Sequence, residues 1–517
     1  MTKYRSTRGD VRNFSFEEAV LSGLASDRGL FVPEENKFPT LPPNALTEWA
    51  KLSYQELAVE VMSLFIDPSE IPRADLQVLV QKAYTFSESN YRHKEVAPVV
   101  KVKDNLHVLE LFHGPTFAFK DIALQFLGHL FEYFLERKNK NSDKLHQVTV
   151  VGATSGDTGS SAIYGLRNKK NVEVFILYPH GRVSKIQEQQ MTSVIDDSVY
   201  NLAVKGTFDD CQAIVKDLFA DAAFKKKYNL GAVNSINWAR ILAQIVYYFY
   251  AYFRLPNKTK VAFSVPTGNF GDILAGFYAQ KLGCPIDKLI VATNDNDILH
   301  RFFSTGKYHR TSVSHTSSPS MDICVSSNFE RYLFALSGDN SAVLKEWMTS
   351  FEKTGKLTVE GDLLDKAKSE MTSRAVLQPQ VLATIKQYHA DFNYTFDPHT
   401  AIGVAAADSY LETAKDATVV VLATAHYGKF MPTVLEALEG AQVEQHPILK
   451  SLETLPQRSH VIDNDVVAVK SFVEAHADRN QTQAKGVLAN LLPESNLIRA
   501  SLVVAVAAVV VLVGLKK

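Results

Sequence analysis

Cysteine is scarce in this chain, and neither sign of charge is in excess. The three thiols among 517 residues, Cys211, Cys284 and Cys324, lie far apart with no CxxC pair. That argues against a disulfide framework and a thiolate zinc site, and it fits a reducing, cytoplasmic compartment. Lys plus Arg number 55 against 56 Asp plus Glu, a formal charge of -1 with a pI near 7.0. No global basic field is available to attract nucleic acid or an anionic lipid surface, so any anion must be held by local groups. The 15 histidines lack an HExxH or similar ligand spacing, and no metal is expected. The polar start, Met1 to Asp10, lacks the apolar run of a secretory leader.

What the chain does have is length and apolar content. At 517 residues, 46% hydrophobic and 21% charged, it exceeds what one core serves, so two or three lobes are expected. Residues 1–95 carry helical patterns, Phe16 to Ser22 and Leu46 to Phe65, around a Pro-rich stretch, Pro33 to Pro43, and read as a small N-terminal domain. Residues 96–435 alternate short apolar runs with longer amphipathic ones, the pattern of an α/β core with parallel sheets. The strand candidates are Leu106 to Phe112, Gln147 to Gly152, Val172 to Tyr178, Tyr200 to Val204, Lys260 to Val265, Lys288 to Thr293 and Thr418 to Ala423. Ser326 to about His389 reads as helices without strands, and 436–499 as a C-terminal helical region. The tail, 500–517, is the anomaly: Ala500 to Leu515 has no charge, yet is shorter than the roughly 20 residues that span a bilayer. It suits a membrane contact, a buried element or a poorly ordered end.

Open parallel sheets hold ligands beyond the carboxyl ends of their strands, where helix N-termini point donors at anions. Three loops of that kind stand out. HGPTFAFKD, His113 to Asp121, carries Lys120 at the start of an amphipathic helix and below Phe112, Phe117 and Phe119. A cation there opposes the helix dipole by about 0.3–1 kcal/mol. Taken alone it is ordinarily a snorkelling surface lysine, but bound as an imine it would gain from both dipole and desolvation. GATSGDTGSS, Gly152 to Ser161, places three glycines and the hydroxyls of Thr154, Ser155 and Thr158 before a helix, a cradle for a carboxylate or phosphate. It is neither a Walker A sequence nor GxGxxG, which weakens nucleotide binding. PTGNFGD, Pro266 to Asp272, repeats the strand–turn–helix arrangement. Each turn alone is commonly just a turn; two cradles and a helix-start lysine form a constellation.

These strings, together with YPHGRVSKIQEQQM, VNSINWARILAQ, FDPHTAIG, TAHYGKF and the opening YRSTRG and SFEEAVLSGLASDRGLFVP, resemble threonine synthase in its fungal and bacterial long-chain form, from about Tyr4 to Phe430. The resemblance implies a fold-type II pyridoxal-phosphate (PLP) enzyme, tryptophan synthase β-like, with two open α/β lobes plus a small N-terminal domain. It implies Lys120 as the Schiff-base lysine, Gly268, Asn269, Phe270, Gly271 and Asp272 as the cradle of the cofactor phosphate, and Thr424 as partner of the pyridine nitrogen. Thr154, Ser155, Asp157 and Thr158 would grip the substrate, chiefly its carboxylate. Arg182, Lys185, Asn234, Ser235, Asn237 and Arg240 are candidates for the substrate's phosphate. The implied reaction converts O-phospho-L-homoserine and water to L-threonine and phosphate, with Lys120 removing the Cα proton. A phospholyase releasing a keto acid and ammonia shares every motif, and a silent, membrane-tethered homologue is the rival from outside enzymology. Tyr427 and Gly428 depart from an expected Pro-Ala, which would alter the wall beside the pyridine ring, and Thr267 stands where Ser is expected.

Overall fold

The computed structural model describes residues 2–34, 38–441 and 443–477. Two open sheets organise it. The larger has the order Met371–Ala375, Lys288–Thr293, Val261–Pro266, Thr418–Ala423, Leu106–Glu110, Val99–Lys103. Its neighbours run parallel except the last pair. The smaller is parallel throughout, ordered His460–Ile462, Val199–Val204, Val172–Pro179, Val148–Ala153, Leu230–Gly231. Val261–Pro266 and Thr418–Ala423 are buried at every position. Strands covered on both faces read as unbroken apolar runs, which is why they are visible in the sequence. The expected two-lobed α/β architecture is present.

Between the lobes lies the helix Trp238–Arg254, buried along most of its length and packed against Tyr54–Ser63, Lys120–Lys140 and Gly271–Leu282. The N-terminal residues lock onto the same body. Thr7 Oγ1 donates to Glu330 at 2.7 Å, Arg8 pairs with Glu330 at 3.1 Å and Glu352 at 3.0 Å, and buried Arg331 donates to the carbonyls of Phe31 and Ile236.

One expectation is corrected here. The stretch from Ser326 to His389 contains strands: Met371–Ala375 forms an edge of the larger sheet, and Lys356–Thr358 pairs antiparallel with Lys307–His309. These strands are short and polar, as sheet edges tend to be, and so lack the apolar run that marks a central strand. His460–Ile462 likewise adds an edge strand within the region 436–499, followed by helix over 466–477. The remainder of that region and the apolar tail, 500–517, lie outside the described residues. Among the described residues no helix is long and apolar enough to cross a membrane.

Candidate active site

The carboxyl ends of Val148–Ala153 and Val261–Pro266 face one cleft of about 2670 Å³. Its lining brings together Lys120, Thr154, Ser155, Asp157, Thr158, Arg182, Asn234, Ser235, Arg240, Gly268 to Asp272 and Thr424. Lys185 and Asn237 are not part of it. Lys185 is exposed and pairs with Glu453 at 3.4 Å, while Asn237 caps the helix Trp238–Arg254 through Ala239 N–H and donates to Val20 O at 2.9 Å. Both ends of its amide are thus engaged in holding the helix start and the N-terminal residues.

Lys120 opens the helix Lys120–Lys140, and its Nζ donates to Ser320 Oγ at 3.3 Å. Burial depresses its pKa to about 8; Asp157 works against that shift, and the cations Arg240 and Lys429 work with it. A lysine so placed has a substantial neutral fraction near physiological pH, the form that attacks a carbonyl.

Opposite stands the turn before the helix Gly271–Leu282, which has no side-chain cap. The backbone N–H groups of Gly268, Asn269, Phe270, Gly271 and Asp272 have no acceptor among the described residues. Unsatisfied amides converging at a helix N-terminus make an anion nest. Phe270 supplies only its backbone: φ is 62°, and its ring packs against Phe303, Phe329 and Tyr332. A Cβ on Gly268 would sit 3.0 Å from Ser320 O and 3.2 Å from Met321 Cα, so that position requires glycine's bareness. Asp272 is buried and accepts from the hydroxyls of Tyr247 and Tyr248; burial raises its pKa to about 7. The nest, the glycine and the adjacent lysine amine fit a phosphorylated aldehyde. Thr424, buried at the end of Thr418–Ala423, has a hydroxyl with no partner among the described residues, leaving it free for a ring nitrogen.

The turn before the helix Asp157–Leu166 is a second nest, whose N–H groups at Ser155, Asp157 and Thr158 have no acceptor among the described residues. The Thr154 hydroxyl accepts from Gly156 N at 3.0 Å and Gly159 N at 2.8 Å and so shapes this loop. Arg240 is a buried cation whose Nε has no partner among the described residues and whose NH1 donates to Val233 O at 3.0 Å; burial lowers its pKa to about 10, so it stays charged. Arg182 and Asn234 are exposed at the rim, and Ser235 shares a hydrogen bond with Ser327 at 2.9 Å.

Sequence reasoning overlooked the groups that organise these loops. Lys429 is buried and sits 2.6 Å from Asp157 Oδ1, to which Gln187 also donates at 2.9 Å. Lys429 falls in TAHYGKF, but a single buried cation carries no periodic signal. Ser320 N–H donates to His399 Nε2 at 3.3 Å, and His399 Nδ1 lies 2.8 Å from Asp397 Oδ1, which fixes the proton on Nδ1. Tyr427 does not wall the cleft: its hydroxyl donates to Glu444 O at 2.8 Å and its ring stacks on His426.

With this geometry in hand, three family descriptions match the chain: "Threonine synthase N terminus" over residues 3–84, "Pyridoxal-phosphate dependent enzyme" over 94–425 and "Threonine synthase, C-terminal" over 400–473. A threonine synthase of Schizosaccharomyces pombe is 51% identical over 463 residues, covering 84% of this chain and 89% of that protein. The chain belongs to the threonine synthase family. The crystal structure of threonine synthase from yeast superposes with a TM-score of 0.87 at 46% identity, covering 92% of this chain and 99% of that one. PLP-bound threonine synthase from Brucella melitensis gives 0.86 at 41% identity, covering 92% and 100%. As a member of the threonine synthase family the protein is a PLP-dependent enzyme of fold type II.

Proposed function

We propose that the protein converts O-phospho-L-homoserine and water to L-threonine and phosphate in the cytoplasm, where its three free thiols would remain reduced. The observation that carries this reading is the convergence of one lysine amine of depressed pKa with two uncapped amide nests in a single cleft. One nest would take the cofactor phosphate, from Gly268 to Asp272, with Thr424 beside the ring nitrogen. The other, at Ser155, Asp157 and Thr158, would take the substrate's carboxylate, and Arg240 its phosphate.

When bound, PLP supplies an electron sink for charge developing at the substrate's α-carbon. Lys120 Nζ is the group placed to take the Cα proton and to return it, because its neutral form is accessible near pH 8. The Thr424 hydroxyl, uncharged, would accept or donate a hydrogen bond at the ring nitrogen without fixing a proton on it, which would moderate the sink and favour elimination over transamination. Arg240 offers a phosphate charge-assisted hydrogen bonds that a bare hydroxyl cannot exploit.

Product identification tests this. Purified protein with PLP should form threonine and phosphate from O-phosphohomoserine, and homoserine should turn over poorly because hydroxide is a poor leaving group. Release of 2-oxobutyrate and ammonia without threonine would replace the synthase reading with a phospholyase.

A further inference from the structure

Lys429 does not line the cleft, yet it is tied to two loops of the site. Its ammonium lies 2.6 Å from Asp157 Oδ1 and donates to Thr116 O at 2.9 Å, with no side-chain exposure. Thr116 belongs to the loop that ends in Lys120, and its N–H and hydroxyl both bond Asp121 at 2.7 Å. The other oxygen of Asp157 faces Lys120 only indirectly: Ser320 Oγ donates to Asp157 Oδ2 at 3.4 Å and accepts from Lys120 Nζ at 3.3 Å. One buried carboxylate thus stands between two amines, in direct contact with one and separated from the other by a hydroxyl. We propose that Lys429 is a positioning residue that captures Asp157 as its own counter-ion and so denies Lys120 a direct salt bridge, keeping the cofactor lysine in its neutral, nucleophilic form.

A carboxylate in contact with an amine stabilises the ammonium and shifts its titration by about 1–3 units. After Lys429, the cation that acts most strongly on Asp157 is Lys120. Both Lys429 and Arg240 bear on Lys120 as repelling cations, while Asp157 and Asp121 attract it. The charged and titratable groups around the pair come from several elements: Arg240 on Trp238–Arg254, Asp121 on the lysine's own helix, and His399 on Pro398–Thr413, behind Ser320. Lys429 also favours the ionised form of Asp121, so its loss would weaken the pull of Asp121 on Lys120 and oppose the expected rise; opposite shifts in the two variants would therefore report the Asp157 pair.

The inference rests on Lys120 being the cofactor lysine, and the experiment separates the two. Apoenzyme is mixed with PLP at a series of pH values, and the rate of the cofactor's absorbance change is recorded, since loading requires the neutral amine. Lys429→Met should raise the pH midpoint of loading by about 1 unit or more, Asp157→Asn should lower it, and Lys429→Arg, which keeps the ion pair, should stay near the parent. A folded Lys429→Met with the parental midpoint, or an Asp157→Asn midpoint that rises, overturns the proposal. Should Lys429→Met fail to fold, the Asp157→Asn shift decides by its sign. Lys120→Ala is the separate control: loading at the parental rate in that variant would remove the cofactor-lysine assignment itself.

Discussion

Replacing Gly268 with alanine should weaken PLP binding chiefly through the phosphate. The new Cβ would lie 3.0 Å from Ser320 O and 3.2 Å from Met321 Cα, both backbone atoms that cannot rotate aside. Relief requires either the Pro319–Met321 turn or the Gly268–Asp272 nest to shift by a few tenths of an ångström, which misaligns amides that have no other acceptor. A hydrogen bond to a charged group contributes about 1.5–3 kcal/mol, so losing one weakens binding roughly tenfold to a hundredfold. The assay is titration of apoenzyme with PLP and, in parallel, with pyridoxal, which lacks the phosphate. The expected result is a loss for PLP and little change for pyridoxal. Unchanged PLP affinity, or an equal loss for both ligands, would refute the nest as the phosphate holder.

Lys120→Ala should abolish turnover and the absorbance of lysine-bound cofactor while the protein stays folded, since one cleft-facing side chain adds little to the core; near-normal activity would end the assignment. Asp272→Asn should raise the apoenzyme's melting temperature at pH 8 more than at pH 5. The folded-state pKa of about 7 exceeds the ordinary aspartate value of 3.8, so the cost of ionising the buried acid is fully present above about pH 7 and fades as pH falls towards 3.8. Asparagine keeps an acceptor for Tyr247 and Tyr248 without that cost, and an equal gain at both pH values would contradict the argument.

The central strands and the loops behind them were legible because each has a local signature: an unbroken apolar run, then glycines, then an amphipathic helix. What escaped was of two kinds. Edge strands such as Met371–Ala375 owe their conformation to a neighbouring strand far away in sequence, so nothing local announces them. The organising side chains escaped because burial of a charge is a tertiary fact. Lys429 in TAHYGKF, Ser320 in a short turn and Asn237 in VNSINWAR look alike as polar residues near motifs. Only the fold makes the first a buried ion-pair partner, the second a bridge and the third a helix cap. Tyr427 shows the reverse error, since a departure within a motif drew attention although its side chain turns away from the cleft.

The place of Thr418–Ala423 in the larger sheet constrains how the enzyme comes into being. It is inserted between Leu106–Glu110 and Val261–Pro266, although it is the last of the three to be synthesised. Until it arrives, both neighbours present an open edge, and the lysine loop lacks the carbonyl of Thr424 that receives Phe119 N–H at 2.8 Å. A ribosome-bound chain that has exposed only its first 400 residues therefore carries the lysine and both nests without the strand that sets them in register. Such distant pairings close slowly and leave strand edges open to other chains meanwhile. Truncation anywhere before residue 424 should therefore yield an aggregating fragment, not a weakened enzyme.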